Sequence, residues 1–108
     1  NLIYTSMSYN LEDLNLKRII DLKKKFKLPV GYGHHFNQNL PLYLSLFYKP
    51  SFYFVYIKSF LKRDRKYPDD DHAFFTKDLN KLYDDIAEVK LILTSKKTNT
   101  KIKLIENI

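Results

Sequence analysis

At 108 residues, with 44% hydrophobic and 16% aromatic side chains, the chain is too apolar to be a disordered segment in spite of its 29% charged residues, and it is long enough for one domain or a piece of one. The absence of cysteine excludes disulfides, thiolate metal sites and cysteine nucleophiles, leaves any metal to His, Asp or Glu, and fits a reducing cytoplasm. A net charge of +7 favours an anionic partner, whether nucleic acid, anionic membrane or phosphorylated ligand, without choosing among them.

The start, Asn1-Leu2-Ile3-Tyr4-Thr5-Ser6, has neither a basic n-region nor a long apolar core, so no secretory signal is expected. A first residue other than methionine fits a piece of a longer reading frame. Residues 1–5 read as a short strand. A helix is expected to open at Asn10, whose side chain can cap amides one turn on, with Glu12 and Asp13 favoured in its first turn. Leu16, Ile19, Ile20 and Phe26 recur at helical spacing between lysines, and Pro29 stops the pattern.

Leu28-Pro29-Val30-Gly31-Tyr32-Gly33-His34-His35 then reads as a buried strand whose carboxyl end delivers polar side chains to a site, with the glycines permitting a turn or a close approach to a ligand. Residues 40–46 are nearly all apolar, and Pro41 suits a first helical turn, which predicts a helix buried on most sides, with a strand as the alternative. The aromatic and β-branched run 52–57 lacks polar alternation, as in a parallel strand covered on both faces. Pro41, Lys49, Pro50 and Lys58 interrupt the apolar stretch 40–61, so it is not expected to cross a membrane. A charged loop over 62–75 leads to a helix capped by Thr76, with the apolar stripe Leu79, Leu82, Tyr83, Ile86, Val89 and Leu93. Residues 94–108 form a lysine-rich tail in which 101–105 can make a weak strand.

The order strand, helix, strand, helix, strand, helix predicts an α/β fold, a parallel βαβαβα unit. A complete (β/α)8 barrel takes about 250 residues. This chain therefore reads as a partial TIM-type (β/α) barrel, or as a unit that pairs its open edges with another copy.

His34 and His35 are adjacent, so on a strand they face opposite ways and reach one metal only if the chain turns between them. Ordinary structural or surface histidines remain the alternative. Asp69-Asp70-Asp71-His72 can bind a hard cation or a sugar hydroxyl, or be a solvated acidic face. Basic clusters between Tyr and Phe residues can grip nucleic acid, or simply solubilise helix faces. No phosphate loop, nucleophile elbow, zinc-finger spacing or dinucleotide fingerprint is present.

Three blocks, in order, resemble a known family. They are Leu14-Asn15-Leu16 with the lysine-rich stretch Lys25-Phe26-Lys27-Leu28-Pro29-Val30-Gly31-Tyr32 and its histidine, Val55-Tyr56-Ile57-Lys58-Ser59-Phe60, and Pro68-Asp69-Asp70-Asp71-His72-Ala73. Together they are similar to the second half of the barrel of sialic acid synthases (N-acetylneuraminate, pseudaminate and legionaminate synthases), over residues 1–93. The resemblance implies a cytoplasmic transferase barrel that condenses phosphoenolpyruvate with an N-acetylmannosamine-type sugar, releasing phosphate and forming a nonulosonic acid. It also implies a divalent metal, Mn²⁺ or Mg²⁺, that polarises the sugar aldehyde. By the same resemblance His35 matches a metal histidine and Asp71 a sugar-contacting aspartate. Gly33 falls where a phosphate-contacting serine stands, and Tyr9, beside a shortened loop, joins the substrate-contacting candidates.

The departures are that Ser59 stands where the family has its second metal histidine, His34 replaces an aspartate, and Phe36 replaces a threonine. Leu42, Tyr43, Leu46 and Phe47 replace small residues, and one extra residue falls between Ser59 and His72. The barrel's first half and the family's C-terminal domain lie outside the resemblance, so the chain alone is expected to be inactive. Its expected partners are phosphoenolpyruvate, the N-acetylated amino sugar, and either the missing barrel half or a second copy. A non-catalytic interaction module is the alternative, and a nucleic-acid binder ranks behind both.

Overall fold

The computed structural model describes residues 1–59 and 66–96. The expected strand at 101–105, the tail beyond residue 96, Phe60 and the basic residues of 62–65 lie outside the described residues.

At the centre is β2 (Val30–Gly33), all four residues of which are buried. It pairs in parallel with β1 (Leu2–Tyr4) on one side, Leu2 opposite Val30, and with β3 (Tyr53–Phe54) on the other, Gly33 opposite Phe54. The order β1-β2-β3 follows the chain, with α1 (Arg18–Phe26) joining the first pair and α2 (Leu40–Ser45) the second. Such helical returns are what parallel neighbours require. The described residues thus form a mixed α/β fold of parallel strands and three α-helices, the third being α3 (Leu79–Thr94). No helix of the described residues is long and apolar enough to cross a membrane.

The core is made of Leu16, Ile19, Val30, Tyr32, Leu42 and Leu82, with Leu79 and Ile86 of α3 packed against it. Tyr43 Oη donates to Asp85 Oδ2 at 2.8 Å and ties α2 to α3. Lys23 Nζ donates to the Lys49 carbonyl and ties α1 to the turn after α2.

Several expectations are corrected. The first helix does not open at Asn10: that residue is extended, its side chain caps nothing, and Leu11–Asp13 make only a 3-10 turn. The Tyr4 hydroxyl accepts the Asn15 amide at 2.7 Å, which holds this segment beside β1 before α1 starts at Arg18. The helix then ends where Lys27 turns left-handed (φ 53°) and its amide reaches Lys23 O at 2.9 Å, with Pro29 disfavouring helix at Leu28.

The run 52–57 is not one doubly covered strand. It breaks after Phe54, which is 48% exposed, and resumes as β4 (Ile57–Lys58), which pairs in parallel with β5 (Phe74–Phe75) in a second sheet. The charged loop therefore contains a fifth strand, and the observed order departs from the simple βαβαβα unit. Likewise α2 is covered on one side only: Leu42 is fully buried, whereas Leu40 and Leu44 are about half exposed. Thr76 caps nothing and instead starts a 3-10 turn, Thr76–Asp78, that runs into α3, whose Tyr83 and Leu93 are exposed.

Candidate metal centre

Consecutive strand residues point to opposite faces, and the two histidines after β2 do diverge. His34 turns inward, 1% exposed, with its ring stacked on Phe74 at 5.6 Å and its Nδ1 3.3 Å from Tyr32 Oη. Burial, and then the neighbouring His72 and His35, lower its pKa to about 4, so it is a neutral core residue near neutral pH.

His35 turns the other way and meets His72, their ring centroids 3.8 Å apart. His72 is carried by the 3-10 turn Asp70–His72 and is 4% exposed. Two side chains hold that turn. Asp70 Oδ2 accepts the Tyr67 amide at 2.8 Å, and Lys58 Nζ, from β4, donates to the Asp70 carbonyl at 2.6 Å. The Lys58 ammonium also lies 4.6 Å from the centre of the Phe75 ring on β5.

Three aromatic and acidic groups complete the cluster. Tyr9, in the loop after β1, stacks on His35 at 5.5 Å, and its hydroxyl lies 2.7 Å from His72 Nδ1. Tyr56, between β3 and β4, sets its ring edge-on to His72 at 4.6 Å. Asp69 Oδ1 lies 3.3 Å from His72 Nε2, close enough for an ion pair but not aligned as a hydrogen bond.

His35 Nδ1 and His72 Nε2 are both buried without a hydrogen-bond partner, which is costly for groups of this kind. The pKa of His72 is lowered, first by burial and then by His35, with Asp69 opposing. A neutral imidazole is the form that ligates a metal. Tyr9 is pushed up by burial and by the charges of Asp71 and Asp69.

His35, Asp69 and His72 each offer one ligand atom, all within 4.8 Å of one another, and this group can hold a metal ion. Donors about 2.0–2.1 Å from one tetrahedral ion stand about 3.3 Å apart, so small side-chain rotations would close the set.

Of the residues singled out from the sequence, His35 and Tyr9 lie in this cluster, as do Asp69 and His72 from the acidic run that could bind a hard cation or be a solvated face. Asp71 lies next to it, with its carboxylate held by Lys66 Nζ at 2.5 Å and half exposed, outside the ligating set. Gly33 faces protein: a Cβ there would meet Ile3 Cγ2 at 3.0 Å and Thr5 Cβ at 3.1 Å. Ser59 is exposed, one residue past β4. The sequence did not join Asp69 and His72 to His35, and it gave no sign of Tyr56 as a member of the site. The available signal was the histidine closing an acidic run, and only the pairing of β4 with β5 brings it to His35.

Two surface clefts are lined by other residues, one by Leu14, Leu40, Leu44 and their neighbours and one by Tyr43, Phe74, Lys81 and theirs, and neither includes Tyr9, His35, Asp69 or His72. Fold and site together define a mixed α/β chain of parallel strands with a histidine-aspartate group able to take a metal. The chain matches no protein-family model and no curated protein.

Proposed function

We propose that the chain is a divergent portion of a sialic-acid-synthase-like (β/α) barrel, which takes part in nonulosonic acid formation when the rest of the barrel is present and is inactive alone. One observation carries the reading. Tyr9, His35 and Tyr56 follow the carboxyl ends of β1, β2 and β3, and they converge on His72. Parallel barrels collect their chemistry at that end of the strands.

In this reading the substrates are phosphoenolpyruvate and an N-acetylmannosamine-type sugar, and the setting is cytoplasmic. The family's divalent ion is held by His35 with Asp69 and His72, since Ser59 replaces the second family histidine. Two imidazoles and a carboxylate suit Mn²⁺ better than Mg²⁺, which favours oxygen ligands. When bound, the ion supplies a Lewis acid for the sugar carbonyl oxygen. The chain's own contribution is to keep two imidazoles and a carboxylate together, and to offer Asp71, half exposed beside them, to a sugar hydroxyl.

The test is calorimetric titration of Mn²⁺ into the chain and its Ser59→His and His72→Gln variants. A second arm measures phosphate release from phosphoenolpyruvate and N-acetylmannosamine by the protein expressed with its upstream coding sequence. The reading expects binding by the first two proteins, loss in the third, and sugar-dependent phosphate release only in the longer protein. Folded wild type that ignores Mn²⁺, or upstream sequence lacking further βα units, would remove it.

A second reading is favoured by the unpaired sides of β1 and β3 and by the exposure of Ile3, Phe54 and Ile57 among the described residues. Here the chain is a non-catalytic module that pairs with itself or with a host subunit. Sedimentation showing a clean monomer at high micromolar concentration would exclude self-pairing.

A further inference from the structure

His72 is approached from two sides by groups that ask different things of its ring. On one side Tyr9 Oη lies 2.7 Å from Nδ1. On the other, Nε2 is buried, 3.3 Å from Asp69 Oδ1, without a hydrogen bond. A neutral imidazole carries one N–H and one lone pair, while a tyrosine hydroxyl can donate or accept. If the proton sits on Nε2, it points off the line to the carboxylate and satisfies nothing well. If it sits on Nδ1, it is donated to Tyr9 Oη, and the Nε2 lone pair then faces a carboxylate oxygen beside the ring of His35. That second arrangement sets electron pairs against one another and becomes favourable when a cation stands between them.

We infer that Tyr9 is the positioning residue of a transition-metal site: by accepting the Nδ1 proton of His72 it fixes the tautomer whose Nε2 ligates an ion shared with His35 and Asp69. The inference rests on the metal reading given under Proposed function, and it adds the outer partner and the class of ion. Two imidazoles with one carboxylate is a donor set for first-row transition ions, with room left for an exogenous oxygen ligand.

The packing around Tyr9 supports this role. Its ring is stacked 5.5 Å from His35 and lies edge-on, 6.0 Å from His72, so one side chain orients both imidazoles. Tyr56 closes the cluster with edge contacts to the same two rings, at 6.2 and 4.6 Å. The tyrosine comes from the loop after β1, His35 from the end of β2 and His72 from the turn before β5, so the hydrogen bond also registers that loop against the turn at Asp70–His72. Partners that hold the second nitrogen of a ligating histidine typically tune metal affinity by about 10–100-fold.

The experiment uses Zn²⁺, which is diamagnetic, titrated against a competing chelator into the whole chain and into its Tyr9→Phe, His72→Gln and Asp71→Asn variants. Long-range ¹H–¹⁵N NMR of the imidazoles reads which nitrogen of His72 carries the proton. Wild type is expected to bind one Zn²⁺ with the His72 proton on Nδ1. Tyr9→Phe is expected to bind about 10–100-fold more weakly with its metal-free spectrum retained. His72→Gln should lose binding, and Asp71→Asn should stay within a few-fold of wild type. Equal affinity in a folded Tyr9→Phe, or a Zn²⁺-loaded wild type with the proton on Nε2, overturns the role of Tyr9 and leaves the metal site standing. No Zn²⁺ binding by folded wild type overturns the site itself, and the role of Tyr9 with it. The wild-type tautomer decides the matter even where a variant fails to fold.

Discussion

Replacing Gly31 by alanine tests why β2 carries a glycine in a strand interior. An ideal Cβ at Gly31 lies 2.5 Å from Phe52 Cδ2 and 2.6 Å from Cζ, and closer still to Cε2, so it falls inside the face of the ring. Carbon atoms in good contact stand about 3.5–4.0 Å apart, so the ring must move by about 1 Å. The backbone beneath it is pinned, because the Tyr32 amide donates to the Phe52 carbonyl at 3.0 Å and the Ser51 amide to Val30 O at 2.8 Å. Overpacking of this kind costs about 1–3 kcal/mol, offset by the about 0.5–1 kcal/mol that alanine gains over glycine within a strand. Gly31→Ala should therefore destabilise by about 0–2.5 kcal/mol in urea unfolding followed by circular dichroism, without a change in m. In a Phe52→Ala background the ring is gone, and the same change should be neutral or stabilising, which gives a coupling energy of about 1–3 kcal/mol. Gly33→Ala is the milder control, since its nearest neighbour at 3.0 Å is a methyl of the half-exposed Ile3, which can rotate aside. If Gly31→Ala cost the same with and without Phe52, the ring would not be what excludes a side chain there.

The remaining predictions concern the metal, the buried histidine and the core. Mn²⁺ or Zn²⁺ at about 100 times its dissociation constant should add about 2.7 kcal/mol, and raise the melting temperature by roughly 10–20 °C in differential scanning fluorimetry. Chelator should reverse the shift and His72→Gln should abolish it; a wild-type midpoint indifferent to both ions would count against the site. For His34, burial lowers the pKa from 6.5 to about 4, so between those values the unfolded chain takes up a proton that the folded chain lacks. Its contribution is fully present above about pH 6.5 and is lost as pH falls toward 4, about 3 kcal/mol in all. Urea unfolding in chelator across that window should show the slope, and an unfolding free energy flat with pH would contradict the burial of a neutral ring. Leu42→Ala removes a fully buried side chain at the centre of the core and should cost about 2–5 kcal/mol by the same assay. Lys58→Met removes the bond to the Asp70 carbonyl, about 1–3 kcal/mol, and should weaken metal binding by loosening the turn that carries His72. Unaltered affinity would mean that the turn holds its shape without the lysine.

What could be read from the chain alone follows from how directly each feature is encoded. The run at β2 is short, apolar and bounded by Pro29 and paired histidines, and it is the buried central strand. Pro41 at a first helical turn and the stripe of α3 likewise signal their elements locally. The run 52–57 carries no polar residue to mark which side meets water, so its division between two sheets was invisible; exposure of Phe54 and Ile57 is a tertiary outcome. β5 is two phenylalanines long, too short for any periodicity, and it exists because Phe74 N–H finds the Tyr56 carbonyl at 2.8 Å. The glycines of β2 were read as permitting a turn or a close approach to a ligand, whereas neither has a positive φ and a Cβ at either would meet side chains of adjacent segments, Phe52 for Gly31 and Ile3 and Thr5 for Gly33. His35 was legible because it follows a strand, while Asp69 and His72 were legible only as part of an acidic run that reads as a cation site or as a solvated face, with nothing to tie it to His35.

That hidden pair has a structural logic within the proposed reading. Ser59, where a second metal histidine is expected, directly follows Lys58, and Lys58 is the residue whose ammonium grips the carbonyl of Asp70. The parallel pairing of β4 with β5, Lys58 opposite Phe75, draws the turn at Asp70–His72 against the strand that Ser59 follows. In this parallel pair the turn precedes β5 and so lies toward the amino end of β4, whereas Ser59 follows the carboxyl end of β4, so within this reading the ligating set forms at the other end of the strand pair from position 59. The consequence is testable in one direction only. If His72 and Asp69 have taken over from position 59, then the site binds without that position, and Ser59→His should leave affinity for Mn²⁺ unchanged. If they have not, Ser59→His restores binding to a chain that otherwise lacks it, and His72→Gln in that background should leave the restored affinity unchanged.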